Sequence, residues 1–341
     1  MPARTTFDAL VPFGWDDRVA TLFNTATQSQ SATPDQSPAR VVRVDRDRCV
    51  VVADDGETRT ARAVDLPAVG DWVVLSQPDA DVVAVLDRWS ALTRLDQVMA
   101  ANVDVVMVLA ALDRPLNLNR LERELVLAWD SGARPLVVLT KADQAIAENE
   151  AAAETVEARA LGVDVLTTSA RTGEGMDAVT DHLRPNRTAV LLGASGVGKS
   201  TLVNRLLGDE VQATREVRAD DGRGRHTTTA RHLLVIPTGG VLVDTPGIRS
   251  LGLGGDTAVG LAQAFPEIEE LASGCRFRDC RHAGEPGCAV AGAIGHERMA
   301  SYSKLQSEVE HAARDSDLRA RAEHKQKSKV IHKAMRNHTK Q

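Results

Sequence analysis

The chain has 341 residues and a formal net charge of −6, with 43% hydrophobic and 26% charged residues. That length suits two or three domains, and the composition is that of a soluble globular protein. No apolar run approaches the ~20 residues of a membrane span, and the opening MPARTTFDAL lacks the apolar core of a signal peptide, so a cytoplasmic protein with no membrane partner is expected.

Residues 1–38 begin with an amphipathic segment, DALVPFGWDDRVATLF, expected to pack on its neighbour. The polar stretch 26–38, TATQSQSATPDQS, is broken by Pro34 and too poor in large apolar groups to offset ordering entropy, so it reads as a linker. Short β-rich runs follow over 39–92: ARVVRVDRD, RCVVVADD, ETRTARA, VGDWVVLS and VVAVLDR, with Asp55-Gly56 as a hairpin turn signal. Strands this short and this closely spaced suit a small closed β-barrel such as an OB-fold, which often binds RNA; a barrel that only packs on the next domain is the other reading.

Over 93–253 the texture changes to an α/β alternation. VDVVMVLAAL, RPLVVLTKAD, VDVLTTSA, TAVLLGASG and VLVDTPG each run from an apolar strand into a polar turn, the pattern of a doubly wound parallel sheet with ligands at the carboxyl ends of its strands.

Gly193-Ala194-Ser195-Gly196-Val197-Gly198-Lys199-Ser200-Thr201 satisfies the phosphate-loop pattern between a strand and a helix. Its glycines let backbone N–H groups face phosphates, Lys199 reaches the β- and γ-phosphates, and the Ser200 hydroxyl suits magnesium. Thr140-Lys141-Ala142-Asp143 resembles the guanine-specificity motif Asn-Lys-x-Asp of GTPases. A carboxylate at Asp143 accepts two hydrogen bonds from guanine that adenine cannot offer, and Lys141 would lie against the base. Thr140 replaces Asn, so a side-chain amide contact is lost and weaker affinity is expected. Ser169-Ala170 matches the fifth GTPase motif, beside the guanine oxygen. Asp244-Thr245-Pro246-Gly247 resembles the third, with Asp244 on magnesium and Gly247 facing the γ-phosphate.

The Gly/Arg/Thr stretch GRGRHTTTA at 222–230 stands where a switch loop belongs, and a threonine there completes the magnesium shell: Thr228 is chosen, with Thr227 and Thr229 as rivals. Ile248 stands where many GTPases have a water-orienting glutamine, so slow intrinsic hydrolysis is expected, with His226 the candidate to orient water or else a solvated loop histidine. The motif order, base first and phosphate loop after, is circularly permuted relative to ordinary GTPases.

The region 254–341 is expected to be an α-rich domain around Cys275-x4-Cys280-x-His282-x5-Cys288. Three sulfurs and one nitrogen suit one structural, tetrahedral zinc with no open position; free thiols are the alternative. Between Arg319 and Gln341, eight Lys or Arg accompany a single acid, a basic tail able to touch phosphate or simply a solvated helix.

In this order, VGDWV, TKAD, GASGVGKST, GRGRHTTT, DTPGIR and the Cys/Cys/His/Cys knuckle resemble the ribosome small-subunit-dependent GTPase A family. The resemblance implies a GTPase with an N-terminal OB-fold, a permuted G domain and a C-terminal zinc domain, using GTP/GDP and Mg2+. It implies a role in late 30S ribosomal subunit maturation through contact with 16S rRNA, with hydrolysis stimulated by the subunit and coupled to release. A monomer is the natural form for such a docking factor. An RNA-binding assembly factor in which GTP only orders the protein is the competing reading.

Overall fold

The computed structural model describes residues 7–29, 36–45, 48–63, 65–76, 81–94, 97–208, 231–244 and 258–314. The chain divides into two compact units, 1–251 and 252–341.

The first unit opens with a 3-10 turn over Asp8–Phe13 and helix α1, Asp17–Ser29. Leu10, Val19 and Phe23 are buried against Trp72, Val74 and Leu86, as the amphipathic pattern of this segment requires. Five strands follow: β1 Gln36–Val44, β2 Cys49–Ala53, β3 Thr58–Ala61, β4 Trp72–Ser76 and β5 Val82–Val85. The linker expected over 26–38 is shorter than its composition suggested. Thr25 and Thr27 donate back to the carbonyls of Thr21 and Phe23 and stay helical, while Gln36 to Pro38 pair with Ser76 to Val74. Tertiary pairing overrides a weak local preference there.

β1 pairs antiparallel with both β2 and β4, β2 with β3, and β4 with β5. Val82 N–H donates to Arg62 O at 2.8 Å just beyond β3, so the strands come round in the order β1-β2-β3-β5-β4-β1. Alternate residues fill the interior, among them Val41, Cys49, Val51 and Leu75, each 0% exposed. The opposite face of β2 and β4 is covered by the N-terminal segment, which explains why β2 is buried along its whole length.

A hairpin of β6 Ala91–Arg94 and β7 Gln97–Ala101 leads into the α/β region. There the strands are β8 Val105–Ala111, β9 Arg134–Thr140, β10 Asp164–Thr167, β11 Thr188–Gly193, β12 His232–Val235 and β13 Val241–Asp244. Helices α2 Leu118–Asp130, α3 Ala152–Glu157, α4 Met176–Leu183 and α5 over 199–208 alternate with them. α2 begins where Asn117 Oδ1 accepts from Arg120 N at 3.0 Å, a cap worth about 1 kcal/mol, and buries Leu121, Leu125 and Val126.

Among the described residues the strand order is β10-β9-β8-β11-β13-β12, parallel except for β12, and it continues through an Arg43–His232 pair into β1. Successive strands β8, β9 and β10 step outward in one direction, and β11 then returns to the other side of β8. The direction of winding therefore reverses between β8 and β11, the place where an open α/β sheet leaves a crevice at its strand ends.

Arg40 links barrel and parallel sheet. It is 1% exposed and donates to Phe13 O at 2.6 Å, Thr188 Oγ1 at 2.9 Å and Asn102 O at 3.4 Å, with its guanidinium 4.8 Å from the centroid of the Trp72 ring. Burial lowers it to about 10, against the pull of Asp104, so it remains charged at neutral pH.

The second unit holds helices α6 Ala258–Ala264, α7 Pro266–Ala272 and α8 over 296–314, consistent with the expected helical content. Phe265 and Tyr302 meet edge to face at 5.4 Å, and Arg298 caps the Phe265 ring while pairing with Glu267 at 2.7 Å. No helix of the described residues is long and apolar enough to cross a membrane.

Candidate functional site: a crevice at the strand ends

The carboxyl ends of β8, β9, β10, β11 and β13 lie on one edge of the sheet, as their parallel pairing dictates. After β11 the chain turns through Gly193 to Gly198 into α5. Gly193 has φ +142°, and a Cβ there would lie 2.8 Å from Leu109 O, so the close approach to β8 requires glycine. Lys199 Nζ donates back to Gly193 O at 2.7 Å and Ala194 O at 2.6 Å, closing the turn around its own charge. Ser200 and Thr201 follow in the first turn of α5, and Leu202, Leu206 and Leu207 bury its inner face.

β9 ends at Thr140, 4% exposed, whose Oγ1 lies 2.5 Å from Val197 O and 3.3 Å from Ala110 O. A hydroxyl has one proton, and the shorter distance places it on Val197 O. This hydroxyl bond joins the TKAD segment to the phosphate-loop turn. Lys141 adopts φ +59° and places Nζ 2.6 Å from Asp113 Oδ2. Ala142 N–H donates to Thr168 O at 3.0 Å, tying this segment to the end of β10.

Asp143 Oδ1 accepts from Ser169 Oγ at 2.6 Å, and its Oδ2 lies 2.8 Å from Arg171 Nε. The Ser169 hydroxyl, with the Arg171 charge beside it, holds the Asp143 carboxyl below its ordinary value. Ser169 is itself oriented, because its Oγ accepts from Thr172 N at 3.2 Å. Ala170 follows in the same turn, and Asp244 closes β13 at the same edge. His226, Thr228 and Gly247 lie outside the described residues.

The loop after β8, which no motif marks in the sequence, also borders the crevice. Asp113 receives Arg114 Nε at 2.7 Å and Lys141 Nζ at 2.6 Å; these bonds, Arg114 first, hold its carboxyl well below the carboxylate range. Arg114 also reaches Gly196 O at 3.4 Å. Buried Asn149 braces the loop by donating to Leu112 O at 3.0 Å and Arg114 O at 2.8 Å. The signal for Asp113 was available, since β8 is one more parallel strand whose carboxyl end must face the crevice. Glu124 on α2 was also missed. It is 9% exposed, its carboxyl is raised by burial despite Arg120 Nε at 2.8 Å, and it lines a small cleft of about 70 Å³ beside Val197.

In the second unit Cys275, Cys280, His282 and Cys288 bring their ligand atoms within 4.8 Å of one another, an arrangement that could hold a metal ion. Cys275 Sγ and Cys288 Sγ are 4.0 Å apart, and His282 Nδ1 is 3.6 and 3.5 Å from them. A tetrahedron with bonds of ~2.3 Å has edges near ~3.8 Å, so Cys275, His282 and Cys288 stand at the separations such an ion needs. His282 sits at φ +59°, an uncommon backbone for a non-glycine residue that aims its Nδ1 at the thiols. Glu285 accepts from Arg281 N at 3.1 Å and Ala283 N at 2.8 Å and fixes the loop between the ligands.

Comparison with known proteins fits this geometry. The RsgA GTPase family model matches residues 85–254. The chain is 45% identical over 345 residues to the small ribosomal subunit biogenesis GTPase RsgA of Streptomyces coelicolor, covering 94% of this chain and 92% of that protein. It is 40% identical to the protein of the same name from Syntrophotalea carbinolica, over 87% of this chain and 90% of that one. Among solved structures it resembles YjeQ from Thermotoga maritima, with TM-score 0.62, 25% identity and coverage of 80% of this chain and 98% of that one. It also resembles YloQ, a circularly permuted GTPase, with TM-score 0.60, 25% identity and coverage of 81% and 96%. With its permuted motifs gathered at one sheet edge and relatives this similar along nearly their whole length, the chain belongs to the RsgA GTPase family.

Proposed function

We propose that the protein binds and hydrolyses GTP and acts in biogenesis of the small ribosomal subunit. The observation that carries the pocket is the Thr140 Oγ1 to Val197 O bond of 2.5 Å, which joins the base motif to the phosphate loop although they lie 57 residues apart in the chain. In this reading Asp143 accepts the N1–H and amino group of guanine, with Thr140, Lys141, Ala142, Ser169 and Ala170 around the base. Residues 193–201 wrap the phosphates with backbone N–H groups, and Lys199 leaves its carbonyl partners for the β- and γ-phosphates. Ser200, Asp244 and Thr228 would hold magnesium, which offsets phosphate charge; Gly247 would face the γ-phosphate. His226 would orient the attacking water in place of the glutamine that Ile248 replaces.

The Cys275, Cys280, His282 and Cys288 set would hold one zinc. With all four positions filled by protein its role is structural. The strand order β1-β2-β3-β5-β4-β1 supports an OB-fold over 39–92, which with the basic tail would meet 16S rRNA on the 30S subunit, in the cytoplasm and as a monomer.

The test is single-turnover GTP cleavage with and without 30S and 50S particles at two salt concentrations. A slow basal rate raised by 30S alone, less so at high salt, is expected, with His226→Ala losing most of the stimulation while keeping GTP affinity. A basal rate indifferent to 30S would reject the small subunit as partner.

A further inference from the structure

The carboxylate assigned above to guanine is already engaged by the chain's own groups. Asp143 Oδ1 accepts from Ser169 Oγ at 2.6 Å; Oδ2 lies 2.8 Å from Arg171 Nε and 3.4 Å from Gln144 Nε2, and the side chain is only 10% exposed. Its two main partners are anchored differently. Ser169 is held by the Thr172 N–H on its Oγ and by Gly173 N–H donating to its carbonyl at 2.8 Å. Arg171 projects from the same turn with 71% of its side chain exposed, so it can release Asp143 without unravelling the turn.

The chemistry of this partner matters. Guanine offers a carboxylate the N1–H and the amino group on C2, two donors on one carbon. Arg171 sets its Nε, and with it a positive charge, 2.8 Å from Oδ2, the oxygen that one of those two donors must reach. We infer that Arg171 is an internal competitor for guanine: its guanidinium occupies Asp143 Oδ2 and must leave before the base can engage both oxygens, while Ser169 stays and keeps the carboxylate aimed. This rests on the base-reading role proposed for Asp143. An ion pair with one partner so exposed is worth at most about 1 kcal/mol, so the competition amounts to no more than about fivefold in affinity. It falls on association, because the latch is open once the base is seated.

The experiment is stopped-flow binding of a ribose-labelled fluorescent GDP to the full chain. Arg171→Ala should bind about two- to fivefold tighter through faster association at an unchanged dissociation rate, and the gap should close as salt screens the pair. Arg171→Lys, which keeps the charge, should restore slower association at least in part. In an Asp143→Asn background, read with labelled xanthosine diphosphate, adding Arg171→Ala should change affinity by less than about twofold, because the charge it pairs with is gone. Weaker or unchanged GDP binding by Arg171→Ala would overturn the inference, as would an equal gain in the Asp143→Asn background. If Asp143→Asn alone bound GDP as tightly as wild type, the base-reading role itself would fall, whatever Arg171 does.

Discussion

The crevice at the sheet edge and the loop from Cys275 to Cys288 are both irregular backbone carrying charged or nucleophilic side chains, yet what stands behind them differs. Behind the crevice are Val105, Met107, Leu109, Leu136, Val138 and Leu202, each no more than 3% exposed, and every such side chain stabilises the fold by about 1.5–3 kcal/mol relative to exposure. Its polar groups are then bound to one another, Thr140 to Val197, Lys141 to Asp113 and Ser169 to Asp143. The Cys/His loop has little of this: of its residues Phe277 is 44% exposed, and only His282 counts among the buried. A packed sheet supports the first site, whereas the second has little apolar support of its own and, if it holds the metal its four ligands could take, should depend on it. On the proposed reading, a base-reading pocket is kept in register by the sheet while a separate unit folds around a metal.

The largest expected effect separates the two. Cys280→Ser should lose its metal, and with it the free energy that orders the loop, roughly 10–16 kcal/mol in small zinc peptides, while GTP affinity stays within about twofold of wild type. Metal analysis and amide exchange over 275–288 check this. A full equivalent of metal in the variant, or metal-free wild type with the loop still protected, would erase the contrast.

Next in size is the junction at Arg40. Arg40→Ala leaves buried acceptors on Thr188 and Phe13 and uncovers Trp72, and should cost the first unit about 3–5 kcal/mol, read by urea unfolding through tryptophan fluorescence. All four tryptophans lie in that unit, so the probe does not report on the Cys/His loop. A loss below about 1 kcal/mol would mean the barrel and the parallel sheet do not depend on this contact.

A smaller effect tests the link within the crevice. Thr140→Val keeps the shape and removes the hydroxyl, leaving Val197 O without that partner; the cost of about 1–2 kcal/mol should appear as a five- to thirtyfold loss of GTP affinity. Unchanged affinity by titration calorimetry would show that the phosphate-loop turn is held without it.

Much of this was legible in the sequence because the parallel strands are apolar throughout and each runs into a motif whose spacing is fixed by phosphate or base geometry. The five short N-terminal strands and the Cys/Cys/His/Cys cluster were legible for similar reasons, alternation in one case and thiol clustering in the other. Side-chain pairings across distant segments were not. Nothing local in Thr140 says that its hydroxyl will find Val197, and Asp113, Asn149 and Arg171 are ordinary polar loop residues until the fold brings partners to them. The linker was overextended because strand pairing of Gln36 to Pro38 depends on β4, far along the chain.

The central claim, that the permuted motifs form one guanine-reading pocket, is tested most directly by the affinities of wild type and Asp143→Asn for GTP and xanthosine triphosphate, measured side by side. Charge-assisted bonds of roughly 1.5–3 kcal/mol each predict at least a tenfold loss of GTP binding in the variant, together with a gain for the xanthine nucleotide. An Asp143→Asn protein that still prefers GTP by the wild-type margin would contradict the account.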